Sequence, residues 1–88
     1  MAENGVPVNL ANAVVGGLLL ARQQAEPGAL EGGDVTANFQ GGTRVQFLIM
    51  TSKVQRRTEQ DFSGHVDTLP VEELARQIAL MLLDGMNP

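Results

Sequence analysis

The segment spanning residues 43–54, TRVQFLIMTSKV, places the strongest limit on how this chain can fold. Its apolar side chains alternate between two faces, with Val45, Phe47 and Ile49 on one and Leu48, Met50 and Val54 on the other. β-Branched and aromatic residues suit a pleated surface, and an apolar run on both faces is typical of a strand covered on two sides. We therefore expect this segment to be the central strand of a sheet.

The residues before it predict a hairpin partner, because Val35, Ala37 and Phe39 alternate with polar residues and Gly41-Gly42 follows. A two-residue turn at Gly41-Gly42 sets Phe39 opposite Arg44. A three-residue loop over 40–42 instead gives the pairs Phe39 with Thr43, Ala37 with Val45, and Val35 with Phe47. We predict the second register, with Gly42 left-handed in a bulge, since it gathers the apolar residues on one face.

Residues 55–61 are polar throughout, so the sequence is compatible with two courses of the chain after the central strand. Either the strand continues as a solvated ribbon, or it turns near Arg56-Arg57 and returns as a third strand over 62–66. We favour the return, which buries Phe62, because an isolated hairpin is marginally stable in water.

Two helices are expected at the ends of the chain. Residues 8–25 carry an apolar stripe at helical spacing and stop before Pro27-Gly28. The second helix follows Pro70, with Asp67 or Thr68 as its cap and Gly85 just beyond its C-terminus. The predicted fold is a single small α+β domain over residues 1–88: N-terminal helix, antiparallel hairpin with a possible third strand, C-terminal helix, the helices on one face of the sheet.

Composition argues against several kinds of chemistry. The chain has no Cys and one His, so thiolate chemistry is excluded and neither a metal site nor a cofactor is expected. Ser63, His65 and Asp67 are spaced too regularly along one segment for a catalytic triad, which is assembled from separate elements. We expect no enzymatic activity.

The net charge of −4 and the presence of only three aromatic residues, all Phe, disfavour nucleic-acid binding. The one basic cluster, Lys53, Arg56 and Arg57, is either a solvated strand end or a patch that contacts an anion or nucleic acid. Residues 1–7 lack the basic residues of a signal peptide, and the apolar stretch over 8–21 is too short to span a bilayer. The sequence thus predicts a soluble protein of the cytoplasm or a virion, without a membrane partner.

Small residues mark one face of the first helix, where Ala13, Gly17 and Ala21 lie four apart. Gly16-Gly17 costs roughly 1 kcal/mol per Gly within a helix, so close approach of another backbone is expected to compensate. That backbone belongs either to the chain itself or to a second subunit. The second helix is apolar at every position from 78 to 83, which also suggests a covering partner.

These features predict a non-enzymatic structural subunit of a larger oligomeric particle, of phage head, tail or connector type by analogy in size and character. Its partners would be copies of itself, other protein subunits, or both. The predicted contact residues are Ala13, Gly17, Ala21, Leu48, Met50, Leu80, Leu83 and Met86. The alternative is a small acidic regulator or inhibitor, similar to an antitoxin, that binds one protein target.

Overall fold

Two helices pack on one face of a three-stranded antiparallel sheet, as the computed structural model shows for residues 5–88. The elements in chain order are α1 (Val8–Gln24), β1 (Asp34–Gly41), β2 (Arg44–Met50), β3 (Gln55–Asp61) and α2 (Val71–Gly85). The predicted α+β class is confirmed, including the third strand. The first four residues of the chain lie outside the described range.

The predicted apolar face of the hairpin is correct, but the predicted register is wrong by two residues. Val35 pairs with Ile49, Ala37 with Phe47, and Phe39 with Val45. The cause is at the tip, where Gly41 pairs with Arg44 and the register shifts between Phe39 and Gly41, so that Gln40 forms a bulge. Gly42 is left-handed as expected, at φ 61°, but the turn includes Thr43. A shift of two residues preserves the alternation of faces, so the apolar residues still share one side.

The third strand is the polar segment Gln55–Asp61 itself, so the predicted turn near Arg56-Arg57 and return strand over 62–66 are both wrong. The turn comes earlier, because the buried Thr51 organises it: its hydroxyl oxygen accepts hydrogen bonds from the backbone N–H groups of Lys53 and Val54 at 3.2 and 3.0 Å. Phe62 is buried, as predicted, in the turn segment that leads to α2.

The ends of α2 also differ from expectation. Pro70 occupies the N-cap position and no side chain caps the helix, while the Thr68 hydroxyl donates instead to the Gly64 carbonyl at 2.6 Å. Asp67 and Thr68 are therefore not caps. Gly85 is the last helical residue rather than the residue after the helix, and Met86 follows it in right-handed conformation.

The two helices meet at the small residues of α1. A Cβ added to Gly17 would lie 2.6 Å from Ile78 Cγ2 and 3.0 Å from the Ala75 carbonyl oxygen, closer than side chains normally pack. The backbone whose approach the glycines require thus belongs to α2 of the same chain. Beneath this contact lie the largest fully buried side chains: Phe47, Leu10, Leu74, Ile78, Leu82, Val14, Val35 and Val45.

The sheet is covered on one face only within residues 5–88, whereas the apolar run of β2 predicted cover on both. On the outer face Leu48 is half-buried between its cross-strand neighbours Thr36 and Arg57, and Met50 is exposed. The rest of that face is polar or charged, with Arg44 paired to Glu59 at 3.8 Å. A solvated outer face is normal for an antiparallel sheet.

A carboxylate fastens the end of β3 to the hairpin tip. Asp61 Oδ1 accepts from the Thr43 hydroxyl at 2.6 Å and from the Ser63 N–H at 3.0 Å. These two hydrogen bonds lower the pKa of Asp61 below its usual 3.8. The charged form of Asp61 therefore stabilises this corner of the sheet.

Gly17→Ala should destabilise the protein by up to about 2 kcal/mol. The collision of the new methyl group with Ile78 and with α2 backbone costs about 1–3 kcal/mol, of which a gain of about 1 kcal/mol in helix propensity offsets a part. The control is Gly16→Ala, whose methyl would lie 3.2 Å from the Ala75 Cβ alone. In that variant the gain of about 1 kcal/mol in helix propensity should offset most of the strain. Urea unfolding measures both changes, and equal losses would contradict the assigned contact.

Asp61→Asn should lower the melting temperature at neutral pH, since it removes a carboxylate that the fold stabilises in its charged form. The folded-state pKa lies below the unfolded value of about 3.8, so the stabilisation is present above that value and is lost as pH falls through the folded-state pKa. The gap between variant and parent melting curves should therefore close in acid. Asp67→Asn, an exposed carboxylate in the next turn, is the control. A gap that stays constant down to the lowest pH would contradict this account.

Candidate interaction surface

The outward face of α1 is uncharged and half apolar. Its exposed residues other than Arg22 are Val8, Asn9, Asn12, Val15, Leu19, Gln23 and Gln24. Arg22 is the only charged residue among the 17 of this helix, and its guanidinium turns toward Asp34 at the start of β1. Solvent-facing helix surfaces normally carry charged residues, so this face differs from an ordinary solvated one.

A groove runs along this face between the two helices. Gly16, Ala75 and Ala79 contribute small residues to its lining, and Leu19 and Leu80 contribute large ones that are 51% and 58% exposed. The groove volume is about 590 Å³. The small residues Gly16 and Ala75 leave a notch between the two helices.

Two opposite charges line the groove. Glu72 and Arg76 lie one helical turn apart on α2, and Arg76 also pairs with Glu73. The lining therefore contributes no net charge, in a protein whose total charge is −4. We call the outer faces of α1 and α2 with this groove the helix-layer surface.

Four of the predicted contact residues belong to the interior. Ala13, Gly17 and Ala21 are buried against the rest of the chain, so they cannot meet a second subunit while α1 and α2 stay together. Met86 is only 7% exposed and packs in the core after α2. The interface assignment is corrected for these four residues, because the small-residue stripe serves the contact between the two helices and Met86 is part of the core.

The other predicted contact residues lie in three separate places. Leu80 is on the helix-layer surface, and Leu83 is half-buried in a cleft where both helices end. Leu48 and Met50 lie on the outer face of the sheet, on the opposite side of the domain. These residues do not form one surface.

The predicted basic cluster is also dispersed. Arg56 pairs with Ile49 and Arg57 with Leu48, so their side chains leave opposite faces of β3. Arg56 donates to the Gly85 carbonyl at 3.2 Å, at the C-terminal end of α2 where a cation is favourable. Lys53 lines the cleft at the helix ends, which has a volume of about 380 Å³. The three cations thus do not converge on one anion.

Candidate catalytic residues are likewise not assembled. Ser63, His65 and Asp67 are exposed in the turn segment before α2, and the His65 ring stands edge-on to Phe62 at 6.3 Å between centroids. Within residues 5–88 no three His, Asp or Glu side chains are grouped as a metal site. In the same range, no helix has the length and apolar character needed to cross a membrane.

An ion pair lies at the edge of the sheet that β1 forms. The side chain of Arg22 reaches from the last turn of α1 to Asp34, with Nε 3.0 Å from Oδ1. Partial burial acts to raise the pKa of Asp34, but its hydrogen bonds with the Val35 N–H and Arg22 outweigh that effect and lower the pKa below 3.8. The ion pair is partly exposed, so its worth to stability is small.

Val15 and Leu19 are surface residues that the sequence analysis did not select. Their spacing placed them beside the apolar stripe of α1, where core and surface positions look alike. The available signal was charge, since one charged residue in 17 is unusual for a helix with a solvated side. Comparison with protein-family models, with curated proteins and with solved structures finds no match to this chain.

Proposed function

We propose that the protein is a non-enzymatic assembly subunit that binds a second copy of itself through the helix-layer surface. The observation that carries the proposal is the half-apolar outer face of α1, whose one cation, Arg22, is paired with Asp34, beside the exposed Leu80 of α2. Burying such side chains is favourable by about 25 cal/mol per Å² of apolar area, and a large exposed apolar face marks a contact surface in a water-soluble protein.

The shape of the surface favours a copy of itself as the partner. A two-fold contact brings the same patch of both subunits together, so it requires a patch with both projections and hollows. The helix-layer surface has both, with Leu80 projecting beside the notch at Gly16 and Ala75. Leu80 of each subunit can then enter the notch of the other.

Charge supports the same choice. Two copies that each carry −4 repel one another in general, so a contact between copies needs a surface without net charge. Glu72 and Arg76 provide one charge of each sign, and a two-fold arrangement can set each beside its opposite on the other subunit. The outer face of the sheet is also balanced in charge, but it exposes four charged residues, Arg44, Arg57, Glu59 and Asp61, which a contact there would have to remove from water.

A larger particle, of the phage head, tail or connector type, extends this proposal by analogy in size and composition. It requires a second contact in addition to the two-fold one, since a closed two-fold pair stops at two subunits. Leu48 and Met50 on the outer face of the sheet are the residues we propose for that second contact.

Leu80→Lys should abolish dimerisation, while Met50→Lys should leave it intact. Both side chains are about half exposed, at 58% and 48%, and lie on opposite sides of the domain, so the pair is matched. The loss of two buried leucines across a two-fold contact is worth about 3–6 kcal/mol, a weakening of roughly a hundredfold or more. Light scattering after size exclusion, over a dilution series, gives the masses.

The other outcomes would favour a different contact surface or a different function. Dissociation by Met50→Lys alone would place the contact on the sheet and overturn the helix-layer assignment. A parent protein that stays monomeric at every concentration would overturn self-assembly, and would favour the acidic regulator that binds a foreign protein target.

A further inference from the structure

At the start of β1, two side chains bond to the backbone groups of the outer edge. The Val35 N–H donates to Asp34 Oδ1 at 2.8 Å, and the Val35 carbonyl accepts from Arg22 Nη2 at 2.9 Å. Arg22 and Asp34 are themselves joined at 3.0 Å. Both backbone groups of Val35 therefore point away from β2 and are occupied by one ion pair, which we call the edge clamp.

Beyond the clamp, nothing within residues 5–88 pairs with the edge. In an antiparallel strand every second residue presents both backbone groups to the same side, so Ala37 and Phe39 also point theirs outward. No side chain in the described part of the chain bonds to them. From 35 to 42 the sequence has no charge and no Pro, and Phe39 is 41% exposed. A free, uncharged strand edge is a template for pairing with another chain.

The opposite edge of the sheet is protected in a different way. β3 carries Arg56, Arg57, Glu59 and Asp61 within seven residues, and charges on an edge strand oppose pairing. The β1 edge lacks such charges and instead relies on the clamp. This contrast singles out β1 as the edge where strand addition can occur.

We infer that the outer edge of β1 is a further contact surface, distinct from the helix-layer surface and from the outer face of the sheet, that it accepts the same edge of another copy, and that Arg22 and Asp34 hold it closed. This inference is independent of the helix-layer contact. It concerns a different surface, a different interaction and different residues.

The occupant follows from the register that the edge allows. A two-fold axis at Ala37 pairs Ala37 with Ala37 and Val35 with Phe39 of the other copy, so that each outward-facing residue meets another. The apolar side chains then share one face, and Thr36 meets Asn38 on the other. The exposed Phe39 gains Val35 as a cross-strand neighbour.

The clamp prevents this pairing in two ways. It occupies the N–H and carbonyl of Val35, which leaves only the Ala37 pair able to form. It also ties the last turn of α1 to the start of β1, next to the space that a second strand must enter. Removal of either partner should open the edge.

The test uses the full chain with Leu80→Lys, so that helix-layer association is absent. In that background Arg22→Gln should double the mass in light scattering, and it should slow hydrogen exchange at the Ala37 and Phe39 amides by at least tenfold. Asp34→Ala should also double the mass and slow exchange at these amides, and this variant replaces Arg22→Gln if that variant fails to fold. The matched control is Arg44→Gln, which makes the same charge change at an exposed ion pair that joins β2 to β3 and does not bond to Val35.

A second pair of substitutions tests whether the new contact is at the β1 edge. Thr36→Lys with Asn38→Lys sets lysines opposite one another across the proposed two-fold axis, and both positions are exposed on the outer face. Added to the opened variant, they should restore the original mass and fast exchange. An opened variant that is folded, by circular dichroism, yet keeps the mass of its background would overturn the inference. So would a doubled mass that the two lysines do not reverse. Neither result depends on whether the parent dimerises through its helices.

Discussion

The close contact of α1 with α2 at Gly17 is the constraint on which the rest of the structure depends. With no side chain at this position, the α1 backbone lies against Ile78 and the carbonyl of Ala75. Such close packing lets two helices share one face of a narrow three-stranded sheet and bury Phe47, Leu10 and Leu82 between the layers. It costs helix propensity at two adjacent glycines, which the buried apolar area offsets.

The same contact determines what remains outside. Because α2 covers the small-residue stripe, the other apolar residues of α1 are divided between the sheet and solvent, and Val15 and Leu19 are on the solvent side. The charged residues are unevenly distributed over the surface. The outer face of α1 carries only Arg22, whereas α2 carries Glu72, Glu73, Arg76 and Asp84, and the sheet carries the Arg44–Glu59 ion pair and the other charges of β3.

The sequence predicted the helices and strands themselves better than it predicted which residues of different elements contact one another. Residues 8–25 were expected to be helical and 8–24 are, because apolar spacing and Pro27-Gly28 are local signals. The stripe of Ala13, Gly17 and Ala21 was open to two explanations, since a notch for a neighbouring backbone looks the same whichever chain supplies it. The hairpin register was also open to two explanations, because both candidate turns use the same glycines, Gly41 and Gly42. The structure has a two-residue turn at Gly42-Thr43 together with a bulge at Gln40, and the bulge shifts the pairing of β1 by one residue.

The sequence by itself determined the α+β class, the apolar face of the hairpin and the acidic, cysteine-free character, because periodicity and composition are properties of the chain alone. Only the tertiary structure decided where β2 turns, which apolar residues stay outside, and how the β1 edge is closed. The turn depends on hydrogen bonds of a buried threonine, Thr51, and the closure depends on Arg22, twelve residues from Asp34 along the chain. Contacts of this kind arise only when separate elements are packed, so no local pattern in the sequence reports them.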